Sequence, residues 1–248
     1  MKKTVKFLAL VLAIATVLSL AACGSDKKVV TIATNAEFPP FEYLEGEKMV
    51  GAEIDMAYAL AEKMGVEIEI SNIDFDAALT GAATGKYDMA ISGITATDER
   101  RKNMNFSDAY YKASQAIIVN ADSDIVAAAD LANGKIVSCQ EGTTGEQYLL
   151  DNDYMIQSFK TGSEAITALV AGKVDAVVID DAVAKALSAE QNGKTKVLDE
   201  AMTKEEYAIA IKLGNDEFTA EVNEAIAAIK ADGTLKEIFA KYDLAMDE

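Results

Sequence analysis

Four short segments of the chain combine residue types suited to holding a small charged molecule. The first is Ile91-Ser92-Gly93-Ile94-Thr95-Ala96-Thr97-Asp98-Glu99-Arg100-Arg101. A β-rich run ends at Ser92, Gly93 lets the backbone come close to a ligand, and Thr95 offers a hydroxyl. Thr97-Asp98-Glu99 then read as a helix start, which puts Arg100 in a first turn near the strand's carboxyl end, where open α/β sheets bind ligands. An arginine there presents a rigid fork suited to a carboxylate. The competing reading is a surface arginine paired with Asp98 or Glu99. The second segment, Cys139-Gln140-Glu141-Gly142-Thr143-Thr144-Gly145-Glu146, is again a strand, a glycine-containing turn and a helix start. Backbone N–H groups at a helix N-terminus attract an anion. The segment lacks the Gly-Lys-Ser/Thr ending of a phosphate loop and the spacing of a dinucleotide fingerprint, so a carboxylate-sized anion fits better than a nucleotide. Thr143 or Thr144 as a plain N-cap is the alternative, and one residue could serve both roles.

The third segment is Val177-Val178-Ile179-Asp180-Asp181. Asp180 could accept an ammonium group at the strand end, while Asp181 could cap the helix that follows. Adjacent carboxylates point in different directions, which argues against a glycosidase-like pair. The fourth, Asn35-Ala36-Glu37-Phe38-Pro39-Pro40-Phe41-Glu42-Tyr43, contains the only two prolines of the chain. They stiffen this loop, making Phe38 an aromatic lid for a ligand side chain, with Phe75 as the opposite wall. Aromatic residues also build cores, and Phe106, Tyr110 and Tyr111 are assigned there.

The elements that must position these segments alternate between β-rich runs and helical patterns, the signature of α/β architecture. A strand is expected over 29–34 and a helix over 52–64, with Ile54, Ala57, Tyr58, Ala61 and Met64 on its apolar face and Gly65 as its stop. Strands at 66–70 and 87–92 flank a helix at 77–84. A second series holds strands at 135–140, 155–159 and 174–179 and helices at 145–151, 163–171 and 181–189. An alternating strand at 207–212 and helices at 216–231 and 234–242 finish the chain. The two series echo one another: Ala78-Leu79-x-x-Ala82-x-x-Gly85-Lys86-x-Asp88 returns 87 residues later as Ala165-Ile166-x-x-Leu169-x-x-Gly172-Lys173-x-Asp175. In each, a helix starts beside a capping residue (Asp76, Ser163) and stops at Gly-Lys. Two lobes of similar topology are the simplest explanation.

Composition narrows the chemistry. The chain has no histidine, which removes Ser-His-Asp triads, histidine proton shuttles and histidine metal sites. No cofactor and no metal are expected; an enzyme working through carboxylates or lysine alone stays open, with no catalysis as the expectation. The formal charge of −18 becomes −21 without Lys2, Lys3 and Lys6, and such a surface repels nucleic acid and anionic lipid headgroups. Those lysines form the positive start of a secretory signal over 1–22 whose apolar stretch is 7–20. Its end, Leu20-Ala21-Ala22-Cys23, resembles the bacterial lipobox, in which the cysteine is lipidated after cleavage. A mature chain beginning at Cys23, with 23–28 as a tether on the outer face of the cell membrane, is therefore expected. Cys139, the other of the two cysteines, then has no intrachain partner and reads as a small buried hydrophobe.

Six motifs taken together resemble one family. They are 35–43, Gly51-x-Glu53-Ile54-Asp55, Gly93-Ile94-Thr95-x-Thr97-x-Glu99-Arg100, Phe106-Ser107-Asp108-x-Tyr110-Tyr111, Gly142-Thr143-Thr144-Gly145 and Asp175-Ala176-Val177-Val178-Ile179-Asp180. Their order is similar to that of the polar amino-acid-binding proteins of bacterial ABC importers, in the lipoprotein form, across the chain after the anchor. The resemblance implies a two-lobed periplasmic-binding-protein-like α/β fold (type II). Each lobe is a mixed sheet flanked by helices, and two crossover strands, expected at 115–120 and about 205–212, join them. Lobe one would be 29–117 plus 209–248 and lobe two 118–208. It further implies that Arg100 binds the α-carboxylate beside Ser92, Gly93 and Thr95, that Thr143 and Thr144 add anion contacts, that Asp180 holds the α-ammonium, and that Phe38 and Phe75 clamp the side chain. Asn35 stands where some cation-preferring members carry an acid, and Gln140 where a glutamine-binding relative has lysine. A polar or cationic side chain is favoured, with the amino acid itself open.

Because Arg100 and Asp180 fall in different lobes, a free L-amino acid bridging them would drive hinge closure. The closed monomer would then dock on permease subunits, the membrane being reached through the lipid anchor only. The rivals on the same fold are a dehydratase-like enzyme and a sensor domain.

Overall fold

A computed structural model describes residues 27–132 and 134–246. The expected signal segment 1–22 and lipidation site Cys23 lie outside the described residues. Two five-stranded mixed sheets form two lobes. The first runs in the order Glu67–Asn72, Val29–Thr34, Met89–Ala90, Ala210–Lys212, Met104–Phe106, and the second Met155–Phe159, Ile136–Gln140, Ala176–Asp180, Gln115–Asn120, Thr195–Val197. In each, the first three strands are parallel and the last two antiparallel to their neighbours. The sheets are topological copies.

The sequence echo has a physical cause. Asp88 and Asp175 stand just before the third strand in these orders, and each accepts a hydrogen bond from the backbone of the second strand. Thr31 N donates to Asp88 Oδ2 and Ile136 N to Asp175 Oδ2, both at 2.8 Å. In each case the aspartate's own N–H returns a bond to the same residue's carbonyl, at 3.0 and 2.8 Å. The carboxylate thus fixes how far the incoming strand slides, which sets where its carboxyl end emerges at the cleft.

The helices preceding these strands begin earlier than expected, at Phe75–Thr84 and Gly162–Val170. The second is capped by Thr161 rather than Ser163. Thr161 accepts from Glu164 N while Glu164 reaches back to the Thr161 N–H, a capping box that satisfies two otherwise orphaned donors. The first follows Asp74, not Asp76. In Ala52–Met64, Tyr58 is 59 % exposed, so the buried stripe instead runs through Ile54, Ala57 and Ala61 with Met56 and Leu60. That helix packs against Asp216–Ala231 and Thr234–Lys241, which returns the C-terminal part of the chain to the first lobe.

The crossovers differ from expectation. Gln115–Asn120 lies wholly within the second sheet, paired along its length with Ala176–Asp180, so the expected boundary after residue 117 falls inside a strand. Passage between lobes is made by Tyr111–Ala113 and Glu205–Tyr207, which pair antiparallel as a short hinge ladder. The expected strand over 207–212 is broken accordingly: Glu205–Tyr207 serves the ladder and Ala210–Lys212 the first sheet. Behind the ladder, Phe41, Tyr110, Tyr111, Tyr207 and Phe239 form a buried aromatic cluster with neighbouring rings 5.0–6.5 Å apart.

Candidate functional site

The carboxyl ends of both parallel strand sets face one interlobe cleft. Asn35, Phe38, Phe75, Ser92, Gly93 and Arg100 line it from the first lobe, and Gln140, Thr143, Thr144 and Asp180 from the second. The cleft spans about 300 Å³ of interatomic space. The lobes are closed on one another. Of the residues singled out in the sequence, only Thr95 stands behind this wall. Its carbonyl accepts from Arg100 and its hydroxyl faces away from the lining, toward the hinge ladder.

Arg100 is carried by the single turn Asp98–Arg101, capped by the Thr97 hydroxyl. Its Nη1 donates to Thr95 O at 2.9 Å and its Nη2 crosses the cleft to Gly142 O at 3.0 Å. The guanidinium lies 5.6 Å from the centre of the Phe75 ring. The surface-pair alternative fails because Glu99 pairs with Lys102 instead. Burial lowers the Arg100 pKa, opposed by the charges of Glu205, Asp180 and Asp76. Across the cleft, Thr143 caps Thr144–Asp151 by accepting from Glu146 N, and its hydroxyl also donates to Gln140 O at 2.7 Å.

Asp180 is 5 % exposed and ends its strand. Gln115 Nε2 donates to Oδ1 at 2.9 Å and the Tyr207 hydroxyl to Oδ2 at 2.6 Å. Burial and then the charge of Glu205 push the carboxyl up to about 7, against these two hydrogen bonds. Asp181 does not cap the following helix as expected. It is the first helical residue of Asp181–Ala189 and accepts from Ser114 N at 3.4 Å. At the other end of the cleft, Asn35 Oδ1 accepts from Gln140 Nε2 at 3.0 Å, a second bond between lobes.

Ser92 and Gly93 rest on a buried acid pair. Ser92 Oγ donates to Glu42, while Gly93 N and the Tyr110 hydroxyl donate to Glu53. Burial, followed by the charge of Glu53, raises the Glu42 carboxyl well above the ordinary range, and burial raises Glu53 as well. Gly93 adopts φ +54°, and a Cβ there would fall 2.6 Å from the Phe38 ring. Glycine lets that aromatic wall sit against the strand end.

The sequence reading missed Glu42, Gln115, Glu205 and Tyr207. Strand periodicity would have placed Glu205 on one face with Tyr207, an acid on a buried face. A second cavity, of about 1140 Å³ of interatomic space that includes open solvent, lies beside the hinge ladder and the C-terminal helices. It shares no residue with the cleft, where groups of opposite charge from both lobes converge.

The sequence pattern of the bacterial extracellular solute-binding proteins, family 3, matches residues 30–245. The chain belongs to that family. Its two-lobed fold is periplasmic-binding-protein-like, and family-3 proteins act outside the cytoplasm. The arginine-binding extracellular protein ArtP of Bacillus subtilis is 33 % identical over 252 residues, spanning 96 % of this chain and 97 % of ArtP. An ancestral arginine-binding protein bound to arginine superposes with a TM-score of 0.82 at 39 % identity, over 88 % of this chain and 99 % of that one. The ancestral amino acid-binding protein AncCDT-1, a precursor of cyclohexadienyl dehydratase, gives 0.80 at 33 % identity, over 86 % and 95 %. This family-3 member thus shares its fold with binding proteins and with one forerunner of an enzyme.

Proposed function

We propose that this family-3 protein is the receptor of an ABC importer, binding one free polar or cationic L-amino acid in the interlobe cleft and catalysing nothing. The observation that carries the reading is the placement of Arg100 and Asp180, from opposite lobes, on one buried cleft. A ligand with an α-carboxylate and an α-ammonium engages both only when the cleft is shut. Its differential affinity for the shut form drives closure. Thr143 and Thr144 assist at the carboxylate through their backbone N–H groups at the helix start, Ser92, Gly93 and Thr95 frame the Arg100 side, and Phe38 and Phe75 hold the side chain with Asn35 and Gln140 at its far end. Seating the ligand replaces the Arg100–Gly142 and Asn35–Gln140 bridges, so ligand contacts compete with bonds the lobes make to each other. The relatives' arginine binding supports a cationic or polar ligand. In this reading the monomer is tethered through lipid on Cys23 and delivers its ligand to permease subunits.

A thermal-shift screen of the purified protein against the twenty amino acids and cystine tests the reading. A ligand at about 1,000 times its Kd adds about 4.1 kcal/mol, a shift on the order of 10 °C at this size. A flat screen on folded protein sinks it. Arg100→Ala and Asp180→Ala each weaken binding by at least about tenfold, since each leaves a buried ligand charge unpaired; unchanged affinity in both discards the site assignment. Turnover of a prephenate-like substrate would instead favour the dehydratase alternative.

A further inference from the structure

We propose that Glu205, on the hinge ladder, is a second anionic determinant of the cleft and makes it select an amino acid of net positive charge. The proposal rests on the amino-acid-receptor reading above. Four donors converge on this carboxylate. Thr95 Oγ1 at 2.5 Å and Thr144 Oγ1 at 2.7 Å meet Oε2, while Gln115 Nε2 at 3.1 Å and Thr203 Oγ1 at 2.9 Å meet Oε1. Glu205 accepts all four bonds. Thr95 belongs to the first lobe and Thr144 to the second, so one side chain ties both lobes at the back of the cleft. With its proton committed to Glu205, the Thr144 hydroxyl on the cleft wall offers a further partner only lone pairs, which suits an ammonium group.

The charge balance follows from the same geometry. Among the described residues, Arg100 is the single cationic side chain lining the cleft. Asp180 faces Glu205, Tyr207, Gln115 and Asp181, with Arg100 and Glu42 acting on it at longer range. Glu53, behind Ser92 and Gly93, adds a further buried acid paired with Glu42, and burial raises the pKa of both. The ligand's α-carboxylate engages Arg100 and its α-ammonium offsets one carboxylate. A neutral zwitterion therefore leaves negative charge buried and uncompensated, which is costly away from water. A cationic side chain supplies the missing charge.

Arginine and citrulline have nearly the same shape and differ by one charge, so calorimetry with both isolates the effect. For the wild-type protein, freed of carried-over amino acid and held at pH 8, arginine binds at least about tenfold more tightly than citrulline, a difference of about 1.4 kcal/mol. Glu205→Gln reduces that ratio at least about threefold, and Glu205→Asp, which keeps the charge, restores most of it. A merely structural role predicts equal losses for both ligands, and that result overturns the proposal. So does wild-type citrulline or glutamine binding as tightly as arginine or lysine, a comparison that needs no variant to fold. If no free amino acid binds at all, the receptor reading itself fails and takes this inference with it.

Discussion

Asp180 carries two opposite pH dependences. Its folded-state pKa of about 7 stands above the ordinary aspartate value of 3.8. A raised pKa means that the group's contribution to stability is present below about pH 4 and is lost as pH climbs through 7. A ligand ammonium reverses the preference, because it needs the ionised form. Calorimetric affinity should therefore fall by about tenfold per pH unit below about 7, while thermal stability without added amino acid falls as pH rises over the same window. Affinity flat from pH 5.5 to 8 would show that no ammonium meets Asp180. Gly93 makes a second residue-scale case. An alanine at φ +54° bears left-handed strain of roughly 1–2 kcal/mol and drives the Phe38 ring off the cleft wall. Gly93→Ala should weaken amino-acid binding by at least about tenfold in the same calorimetry, and retained affinity would remove Phe38 from the site. Arg100, Asp180, Thr143 and the two phenylalanines were legible because each follows a strand end with a turn or cap signature. Gln115 and Glu205 were not, since an amide or acid on a hinge strand looks solvent-facing until the partner lobe covers it.

At the scale of elements, the capping box of Gly162–Val170 offers a clean separation of stability from binding. Thr161→Ala removes the Thr161 side of that reciprocal pair and should cost about 1 kcal/mol, read from the denaturant midpoint, with ligand affinity unchanged. A loss of affinity instead would mean that this helix positions the cleft directly. Most elements were readable from periodicity: Ala52–Met64, Met155–Phe159, Asp181–Ala189 and Asp216–Ala231 begin and end where pattern and stop signals place them. The misplacements share one cause. Gln115–Asn120 and Glu205–Tyr207 are apolar or alternating runs near the change of lobe, and which sheet claims such a run depends on partners 57–96 residues away. Local pattern identifies a strand but not its neighbour.

At the scale of the molecule, two copies of one topology meet across a three-pair ladder, and both present strand ends to the same cleft. The repeated aspartates Asp88 and Asp175 make this duplication visible in the sequence itself. The closed arrangement itself was not visible, because it rests on bonds such as Arg100 to Gly142 and Gln140 to Asn35 that join distant segments. Cys139 turns this architecture into a clock. It is the free thiol among the described residues, fully buried in the central part of the second sheet, and burial pushes its pKa up to about 11. A thiol reagent in water can reach it only when that lobe opens, so the labelling rate counts opening events one molecule at a time. A bound amino acid should slow the count in proportion to its occupancy, and a rate indifferent to ligand would mean that the second lobe breathes independently of the cleft it helps to close.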